Sequence, residues 1–516
     1  MFSKEKLIHY LIILLASMVA IASHGYKFAE SDQSIFIPYI LRLNDPNIFP
    51  NDIIFDQISS KTSVFYPLIA FLTKFADLQL LFFAGFLLMQ IVFFLAIFKL
   101  AYAILKNKTI AYLALPLFFL PKFIGGTATL TFDDFFTYRS VGTTAFIFYL
   151  AFLIEKKFKT SALFAFASFL FHPLSIIPNA ALLPIFFAKD KFKISLKKLI
   201  TILLASSALI VTFTLFLHQN NLWLSIIKFR DSYLFISTWA PRGILAIFLY
   251  LILLFFFLQK LPKQTKKNIL LIIYVCLVVF VANYISFELF QNPQLAKFQL
   301  IRSINPIAYL SLVVCGLFLT KKDIVGKIVG IISYSALSLN LFEIFAVFFA
   351  IFAAHDFLSK HDLSLKLDKQ IIVFAAITVI LGSLLTGKVN PYKMAEKVQF
   401  PKQQSSWIKL QLWAKENTDK SALFLAPIDH PGFRIYSQRS IVTDIKDGAI
   451  VIYNQKTASE WHERYTDAKN FYQEPRANLD AIVNKYNPTY IIINKNSVLP
   501  FKKVYEDDQY DVLKVN

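Results

Sequence analysis

Long apolar runs, separated by short basic clusters, are the feature that most limits what this chain can fold into. Residues 78–105 form the clearest run, and Lys106 and Lys108 follow it directly. Runs of about 18–25 apolar residues match the hydrocarbon core of a bilayer, which is about 30 Å thick. The strands of a membrane β-barrel would instead alternate apolar and polar residues. The pattern therefore predicts a mainly α-helical polytopic membrane protein.

The charged residues support this prediction and exclude other classes. Of the 516 residues, 56% are hydrophobic and 17% are charged, whereas soluble domains carry about 25% charged residues. The net charge of +20 comes from lysines that cluster between the apolar runs, as in cytoplasmic loops. The sequence contains no Walker A, GxGxxG, HExxH or paired CxxC motif, so no nucleic-acid partner is expected. Cys276 and Cys315 lie inside apolar runs and are expected to be core residues.

The basic clusters also predict a topology. If every cluster faces the cytoplasm, the runs between clusters must come in pairs, and they do. This gives about 13 transmembrane helices, with the N-terminus cytoplasmic and the C-terminus outside. The predicted spans are 7–23, 78–105, 110–123, 141–154, 161–171, 174–188, 199–217, 243–258, 268–285, 304–319, 324–339, 342–357 and 370–385. Residues 63–73 are only half as long and predict an interfacial or re-entrant helix.

A change in composition near Lys388 divides the chain. Residues 1–387 are predicted to form the transmembrane domain, with a large first outer loop at 24–77. Residues 388–516 are predicted to form an extracytoplasmic domain. In that domain, helical patterns alternate with short strand-like runs, which predicts a small α/β fold. The predicted helices are 405–416, 458–470 and 477–486, and the predicted strands are 422–426, 441–442 and 490–493.

The first outer loop concentrates acidic residues that are scarce elsewhere in the apolar part of the chain: Glu30, Asp32, Asp45, Asp52 and Asp56. Asp32 follows the first span by only a few residues. A carboxylate beside a low-dielectric surface can have a raised pKa and act as a general base, or it can bind a hard divalent cation. The alternative is that these carboxylates only keep a long loop hydrated, and composition alone favours it.

Two further groups of polar residues lie in predicted outer turns. Asp133 and Asp134 are adjacent, and Arg139 follows them. Adjacent carboxylates repel each other unless a cation or an arginine balances them. They therefore predict either a ligand site or an ion pair with Arg139 that orders the loop. His172 precedes Pro173, where the chain is expected to turn or kink, and a lone histidine in apolar surroundings is more often structural than catalytic.

Four basic residues break the charge rule because they lie on the predicted outer side: Arg230, Arg242, Lys297 and Arg302. Arginine suits phosphate, since its planar guanidinium donates two hydrogen bonds at once. An ionisable residue at membrane depth is a functional hypothesis by default. This interpretation is preferred for Arg302, which begins a predicted span. For the other three, snorkelling towards the lipid headgroups is preferred.

In this layout the chain resembles the GT-C superfamily of multi-spanning glycosyltransferases, which use polyprenyl-phosphate sugars. Asp32-Gln33 and Asp45-Pro46 match the acidic element of the first outer loop in position. Asp133-Asp134 matches the second acidic motif. The stretch Trp413–Lys446 looks like the outer domains of bacterial members of this group. The sequence departs from the family pattern at Glu30-Ser31-Asp32-Gln33, where an Asp-x-Asp or Asp-Glu pair is usual, and it lacks a WWD-type motif.

The resemblance implies a transferase of the bacterial inner membrane that moves a sugar from a lipid-linked donor to an envelope glycan, lipid or protein. Asp32 would be the catalytic base. Asp32, Asp133 and Asp134 would hold a divalent cation, Mg²⁺ or Mn²⁺, if one is used. The residues implied in substrate binding are Glu30, Gln33, Asp133, Asp134, Arg139, His172, Arg242 and Arg302. A transporter or lipid flippase, and a catalytically inactive GT-C-like scaffold, remain as alternatives.

Overall fold

The fold is taken from a computed structural model that describes residues 4–55, 63–194, 198, 201, 221–360, 398–399, 405–495 and 497–515. The described chain is mainly helical, and its strands are concentrated near the C-terminus. The helices before residue 361 are α1 (Lys4–His24), α2 (Gln33–Asn44), α3 (Phe65–Leu72), α4 (Leu78–Leu105), α5 (Lys108–Leu113), α6 (Tyr138–Ile154), α7 (Phe158–Phe171), α8 (Pro173–Ile176), α9 (Leu182–Lys191), α10 (Asn221–Arg230), α11 (Pro241–Leu258), α12 (Lys263–Tyr284), α13 (Asn305–Val314), α14 (Ile324–Ser338) and α15 (Phe342–Lys360).

Six helical segments among the described residues are long and apolar enough to cross a membrane: Lys4–His24, Leu78–Leu105, Pro241–Leu258, Lys263–Leu289, Leu300–Thr320 and Phe342–Ser359. Large apolar side chains on the first of these, such as Leu15 and Met18, are exposed, as expected for a face that contacts lipid. Shorter apolar helices occur at Lys108–Phe118, Tyr138–Ile154, Phe158–Phe171 and Ile324–Ser338. These segments support a multi-pass membrane protein.

The prediction of about 13 crossings goes beyond these six segments. The predicted spans 199–217 and 370–385 lie outside the described residues. Residues 110–123 do not form the predicted spanning helix. The chain instead forms α5 and then a 3₁₀ segment at Leu115–Phe118 that contains Pro116, because proline cannot donate the backbone hydrogen bond that continues a helix. The predicted break at His172-Pro173 is confirmed, since α7 ends at Phe171 and α8 begins at Pro173.

The first loop is more ordered than its composition suggests. It contains α2, which continues through Pro38, and α3, the short helix predicted for residues 63–73. Beneath them lies an aromatic core that includes Phe36, Phe65, Phe82 and Phe136. Rings in this cluster meet edge to face, such as Phe82 and Phe136 at 5.7 Å between centroids. Such pairs add about 0.5–1.5 kcal/mol beyond the area that they bury, so the aromatic core fixes the loop over the helices.

The C-terminal region is the small α/β unit that the alternating pattern predicts. Its five-stranded sheet has the order β4 (Ser440–Ile441), β3 (Leu423–Leu425), β5 (Tyr490–Asn494), β7 (Tyr510–Lys514) and β6 (Lys502–Glu506). The parallel part, in which β3 pairs with β4 and β5, corresponds to the three predicted strands. The final antiparallel hairpin of β6 and β7 was not predicted. The elements are α16 (Ser406–Asn417), β3 (Leu423–Leu425), α17 (Phe433–Ser437), β4 (Ser440–Ile441), α18 (Gln455–Gln473), α19 (Leu479–Tyr486), β5 (Tyr490–Asn494), β6 (Lys502–Glu506) and β7 (Tyr510–Lys514).

The C-terminal region is attached to the first loop at several points. Two short strands, β1 (Tyr26–Lys27) and β2 (Val398–Gln399), pair in parallel. A buried polar contact is made by Arg434, which donates to Asp52 in the first loop and to Asp447 in its own region. All three side chains are almost fully buried. The two ends of the chain therefore meet, and the site described below lies between them.

Candidate functional site

A cavity of about 650 Å³ lies between the first loop, the ends of several helices and the C-terminal region. Its walls include five of the residues that the sequence singled out: Asp32, Asp133, Arg139, His172 and Arg302. These side chains come from four separate parts of the chain. The structure therefore brings together most of the predicted site.

Arg139 links two of the predicted carboxylates. Thr137 caps the N-terminus of α6, and it exchanges hydrogen bonds with Ser140 in a capping box, which places Arg139 in the first helical turn. The guanidinium donates to Asp133 Oδ2 through Nε and to Asp32 Oδ2 through Nη1, each at 3.0 Å. The predicted ion pair between Asp133 and Arg139 is confirmed, and the same arginine also orders Asp32.

Asp32 lies directly before α2, in a strained stretch of backbone. Ala29 and Ser31 adopt positive φ angles of 65° and 53°, which non-glycine residues rarely do and which cost about 1–3 kcal/mol each. Lys446, from the C-terminal region, donates to Asp32 Oδ1 at 3.1 Å and to Ser31 Oγ at 3.3 Å. Both carboxylate oxygens of Asp32 therefore have a cationic partner.

The charges around Asp32 decide its ionisation. Burial raises the pKa of Asp32, but the charges of Arg139 and Lys446 and their hydrogen bonds outweigh burial and hold this pKa well below its usual value. Asp32 is therefore a stable carboxylate at neutral pH, and its low pKa makes it a weak proton acceptor.

His172 lies at the turn after α7, packed against α6. Gly142 makes this approach possible, because a Cβ atom at that position would lie 2.4 Å from the Cβ of His172. The imidazole Nδ1 is 2.7 Å from Ser175 Oγ, and the ring meets Tyr138 edge to face. Burial, followed by the positive charges of Arg302 and Arg139, keeps the pKa of His172 well below its usual value. His172 is therefore neutral at the cavity wall.

Arg302 is a buried basic residue of the cavity wall. It lies in a 3₁₀ segment, Leu300–Ile304, and is only 8% exposed. Its guanidinium packs 5.5 Å from the ring centre of Tyr233. Its Nε is buried and has no hydrogen-bond partner, and among the described residues no carboxylate lies within 4.0 Å of it. A buried guanidinium without a directly bonded anion is costly for a protein, and a bound anion would remove this cost.

Residues next to Arg302 extend this wall. Lys297 and Gln299 both line the cavity. Gln299 adopts a positive φ of 46° and its buried Oε1 has no hydrogen-bond partner. The segment 297–302 thus presents two cations and an amide to the cavity. This combination suits an anionic group such as a phosphate.

Three further charged residues line the cavity: Arg230, Asp231 and Lys446. The sequence alone assigns no role to Asp231 or Lys446. Arg230 was assigned to snorkelling, but its Nε donates to the backbone oxygen of Ile445 at 3.0 Å. Asp231 follows α10 and is 7% exposed. Burial raises the pKa of Asp231 to about 6, although the charges of Arg230 and Arg302 act in the opposite direction. The sequence signal that could have identified Asp231 is the adjacent opposite charge of Arg230.

The other predicted substrate-binding residues are not among those that line the cavity. Arg242 is highly exposed and pairs with Glu343. Lys27 lies 3.5 Å from Glu30 and 3.8 Å from Asp134. Gln33 is fully buried. Its side-chain Nε2 donates to the backbone oxygen of Phe136, and its Oε1 accepts from the backbone N–H of Ala29. Gln33 therefore ties the first loop to residue 136.

The three carboxylates predicted to hold a divalent cation do not fit one in this arrangement. Arg139 lies between Asp32 and Asp133 and binds both, so its guanidinium takes the place that a shared cation would need. Asp134 lies beside Lys27 instead. In the part of the chain that the structure describes, no group of three or more acidic, histidine or cysteine side chains is arranged to hold a metal ion.

The C-terminal region covers the cavity. The cover segment, residues 446–453, contributes Lys446, Ile450 and Tyr453 to the lining. It is held by Trp223, whose indole nitrogen donates to the backbone oxygen of Val451 at 2.8 Å. Asp447 within the segment binds the buried Arg434. The cover segment is therefore attached both to the helical part of the chain and to the C-terminal region.

A comparison with known protein families concerns the part of the chain that covers the cavity. Residues 405–468 match a family described as a domain of unknown function (DUF6798). The match includes the whole cover segment and Arg434. No curated protein matches the chain.

Proposed function

We propose that this protein is a membrane glycosyltransferase that moves a sugar from a polyprenyl-phosphate donor to an envelope acceptor. The observation that carries the proposal is Arg302, a buried guanidinium with no carboxylate partner among the described residues, in a cavity that also holds Asp32 and Asp231. A phosphate-linked sugar needs a cation for the phosphate and a carboxylate near the acceptor's hydroxyl group. A resemblance to the GT-C superfamily agrees with this combination.

The donor phosphate is assigned to the wall formed by residues 297–302. Arg302 lies in the first turn of the candidate span Leu300–Thr320, so a phosphate bound there would have its lipid chain beside apolar helices. A guanidinium can donate two parallel hydrogen bonds to phosphate oxygens, and it would stabilise the negative charge that grows on the leaving phosphate. Lys297 adds a second positive charge at the same wall.

The acceptor is assigned to the side of the cavity under the cover segment. Lys446 and Tyr453 line it there, and a polar or aromatic wall suits a glycan or a hydroxyl-bearing lipid. We place the site on the extracytoplasmic face of a bacterial inner membrane, with the N-terminus cytoplasmic, because the lysine clusters mark the opposite loops as cytoplasmic. A Mg²⁺ or Mn²⁺ ion shared by Asp32 and Asp133 would have to displace Arg139. Activity measured after chelation, and again after metal is added back, tests whether a metal is used.

The test uses the purified full-length protein in lipid nanodiscs, with polyprenyl-phosphate hexose or pentose as the donor and an extract of bacterial envelope glycans and glycolipids as the acceptor. The expected result is release of free polyprenyl phosphate, which is detected by mass spectrometry. Arg302→Ala should reduce this release at least tenfold. Arg242→Ala should not, because Arg242 is exposed and paired with Glu343 outside the cavity. This pair of variants separates phosphate binding at the wall from a general loss of positive charge.

Other outcomes would contradict the proposal. Movement of an unaltered lipid-linked sugar between leaflets would identify a flippase. Absence of both release and movement with every donor would favour an inactive scaffold. Comparison of envelope glycolipids and glycans from cells with and without the gene, by mass spectrometry, would then show whether any glycan depends on the protein.

A further inference from the structure

Asp32 and Asp231, two of the carboxylates that line the cavity, differ in how their oxygens are used. Asp32 has Arg139 on Oδ2 and Lys446 on Oδ1. Asp231 has only Arg230, at 3.6 Å from its Oδ1. Among the described residues, no hydrogen bond reaches the carboxylate of Asp231. A proton can therefore bind to Asp231 without displacing a hydrogen-bonded partner, whereas at Asp32 it must displace one of two cations.

The position of Asp231 is fixed by its neighbours. Asp231 is the first residue after α10, and its backbone N–H donates to the backbone oxygen of Ile227 at 2.7 Å. The preceding residue, Arg230, is anchored to Ile445 beside the cover segment. Asp231 is thus held at the junction of the helical part and the C-terminal region, and its side chain, 9% exposed, lines the cavity.

We infer that Asp231 is the group that accepts the proton from the acceptor's hydroxyl group, and that Asp32 is a positioning residue that holds Arg139 and Lys446. The inference rests on the proposed glycosyl transfer. In that step the acceptor oxygen forms a bond to the anomeric carbon while the bond from this carbon to the phosphate oxygen breaks. The polyprenyl phosphate leaves with the bonding electron pair, and the hydroxyl proton passes to Asp231 and then to solvent.

The charges around Asp231 suit this role. The groups that act on it are Arg230, Arg302 and Asp32, and Tyr233 lies in its field. Burial has the largest effect and raises the pKa of Asp231 to about 6. A general base is most effective when its pKa lies near the working pH, and Asp32 is held far below that range. The environments of the two carboxylates thus separate their roles.

The first experiment needs no substrate. Dicyclohexylcarbodiimide modifies protonated carboxyl groups in apolar surroundings, and peptide mass spectrometry locates the modified residue. In the full-length protein, Asp231 should be labelled at pH 5 and progressively less up to pH 8, while Asp32 should stay unlabelled. Labelling of Asp32, or no labelling of Asp231 across this range, would overturn the inference whether or not the protein is a transferase.

The second experiment measures release of polyprenyl phosphate by the variants Asp231→Asn and Asp32→Asn. Loss of a general base lowers turnover by about 10²–10⁴-fold, so Asp231→Asn should lower kcat by at least a hundredfold without raising KM for the donor. It should also abolish the fall in kcat below about pH 6. Asp32→Asn should raise KM and keep that pH limb.

The outcomes are distinguishable. If the wild type releases no polyprenyl phosphate from any donor, the proposed function fails. If the wild type is active and Asp231→Asn retains its turnover and its acidic limb, only the assignment of Asp231 fails. Thermal unfolding of both variants, compared with the wild type, identifies a loss of activity that comes from misfolding.

Discussion

Removal of the Arg434 side chain should release the C-terminal region from the first loop. Arg434 donates two hydrogen bonds to Asp52, at 2.6 and 3.0 Å, and two to Asp447, at 2.9 and 2.8 Å. The exposed fractions of these three side chains are 1%, 0% and 0%. In Arg434→Ala, the two carboxylates would remain buried beside each other, together with Asp444, without the guanidinium that balances them.

The size of the effect follows from burial. Breaking a buried ion pair on one side costs about 3–5 kcal/mol, because the remaining charge stays desolvated. Each 1.4 kcal/mol is a tenfold change in an equilibrium constant, so docking of the C-terminal region should weaken by about a hundredfold to a few thousandfold. Hydrogen exchange of the cover segment's amides, measured in the full-length protein, reports this change directly, since these amides exchange when the region undocks.

Two further variants make the measurement decisive. Lys420→Ala removes another ion pair between the same two regions, but Lys420 and Asp45 are exposed, and exposed pairs contribute little. Asp52→Asn removes one charge from the loop side and leaves the C-terminal region unchanged, so its effect cannot arise from misfolding of that region. Equal exchange rates in Arg434→Ala and Lys420→Ala would refute the reasoning that burial makes Arg434 the main attachment.

Three other predictions concern the cavity and its cover. The pKa of Asp231 is raised to about 6 in the folded protein, so the stability that this residue contributes is fully present below about pH 3.9 and falls by about 3 kcal/mol as the pH rises through about 6. The difference in thermal unfolding between the wild type and Asp231→Asn should follow this pH dependence. A difference that stays constant with pH would contradict the prediction. Gly142→Ala should lower the thermal midpoint, since a Cβ atom 2.4 Å from that of His172 forces a shift that costs about 1–3 kcal/mol; an unchanged midpoint would show that the turn yields freely. Trp223→Phe loses the bond to Val451, worth about 1 kcal/mol, and should raise exchange in the cover segment severalfold, with no change expected at β5.

The sequence predicts the helical spans well where the apolar run is long and uninterrupted. Leu78–Leu105 is observed with the predicted bounds, because Asp77 caps its first turn and Lys106 ends it in a left-handed conformation. The prediction is wrong for residues 110–123, where apolar composition continued but Pro116 interrupts the helix. Run length measures hydrophobicity, whereas continuity of a helix depends on each backbone donor.

The aromatic first loop shows the opposite error. Acidic residues and prolines such as Pro38 favour a loop over residues 24–56, and they conceal α2 within it. Pro38 lies inside α2, and the helix is stabilised by packing of Phe36 against Phe65 and Tyr66. Tertiary packing therefore overrides a local preference that the sequence alone makes prominent.

Contacts in the candidate site could be predicted where the two residues lie close together in the sequence, and not where they lie far apart. The ion pair of Asp133 and Arg139 spans six positions and was predicted, since both residues lie in one short loop. The pair of Asp32 and Lys446 spans 414 positions, and no periodicity or spacing relates two such residues. The predicted topology puts Asp32 and Arg302 on the same side of the membrane, and the two residues share a cavity. The same prediction gives no sign that the C-terminal region covers them.

The order of residues in the cover segment couples its docking to the charge of the cavity. Lys446 binds Asp32, and its neighbour Asp447 binds Arg434, which in turn binds Asp52. Release of the C-terminal region therefore also withdraws one of the two cations that keep the pKa of Asp32 low. The same linkage acts in reverse, because coupling between two binding events is reciprocal. Any ligand that displaces Lys446 from Asp32 must weaken docking of the C-terminal region by the same factor by which undocking favours that ligand.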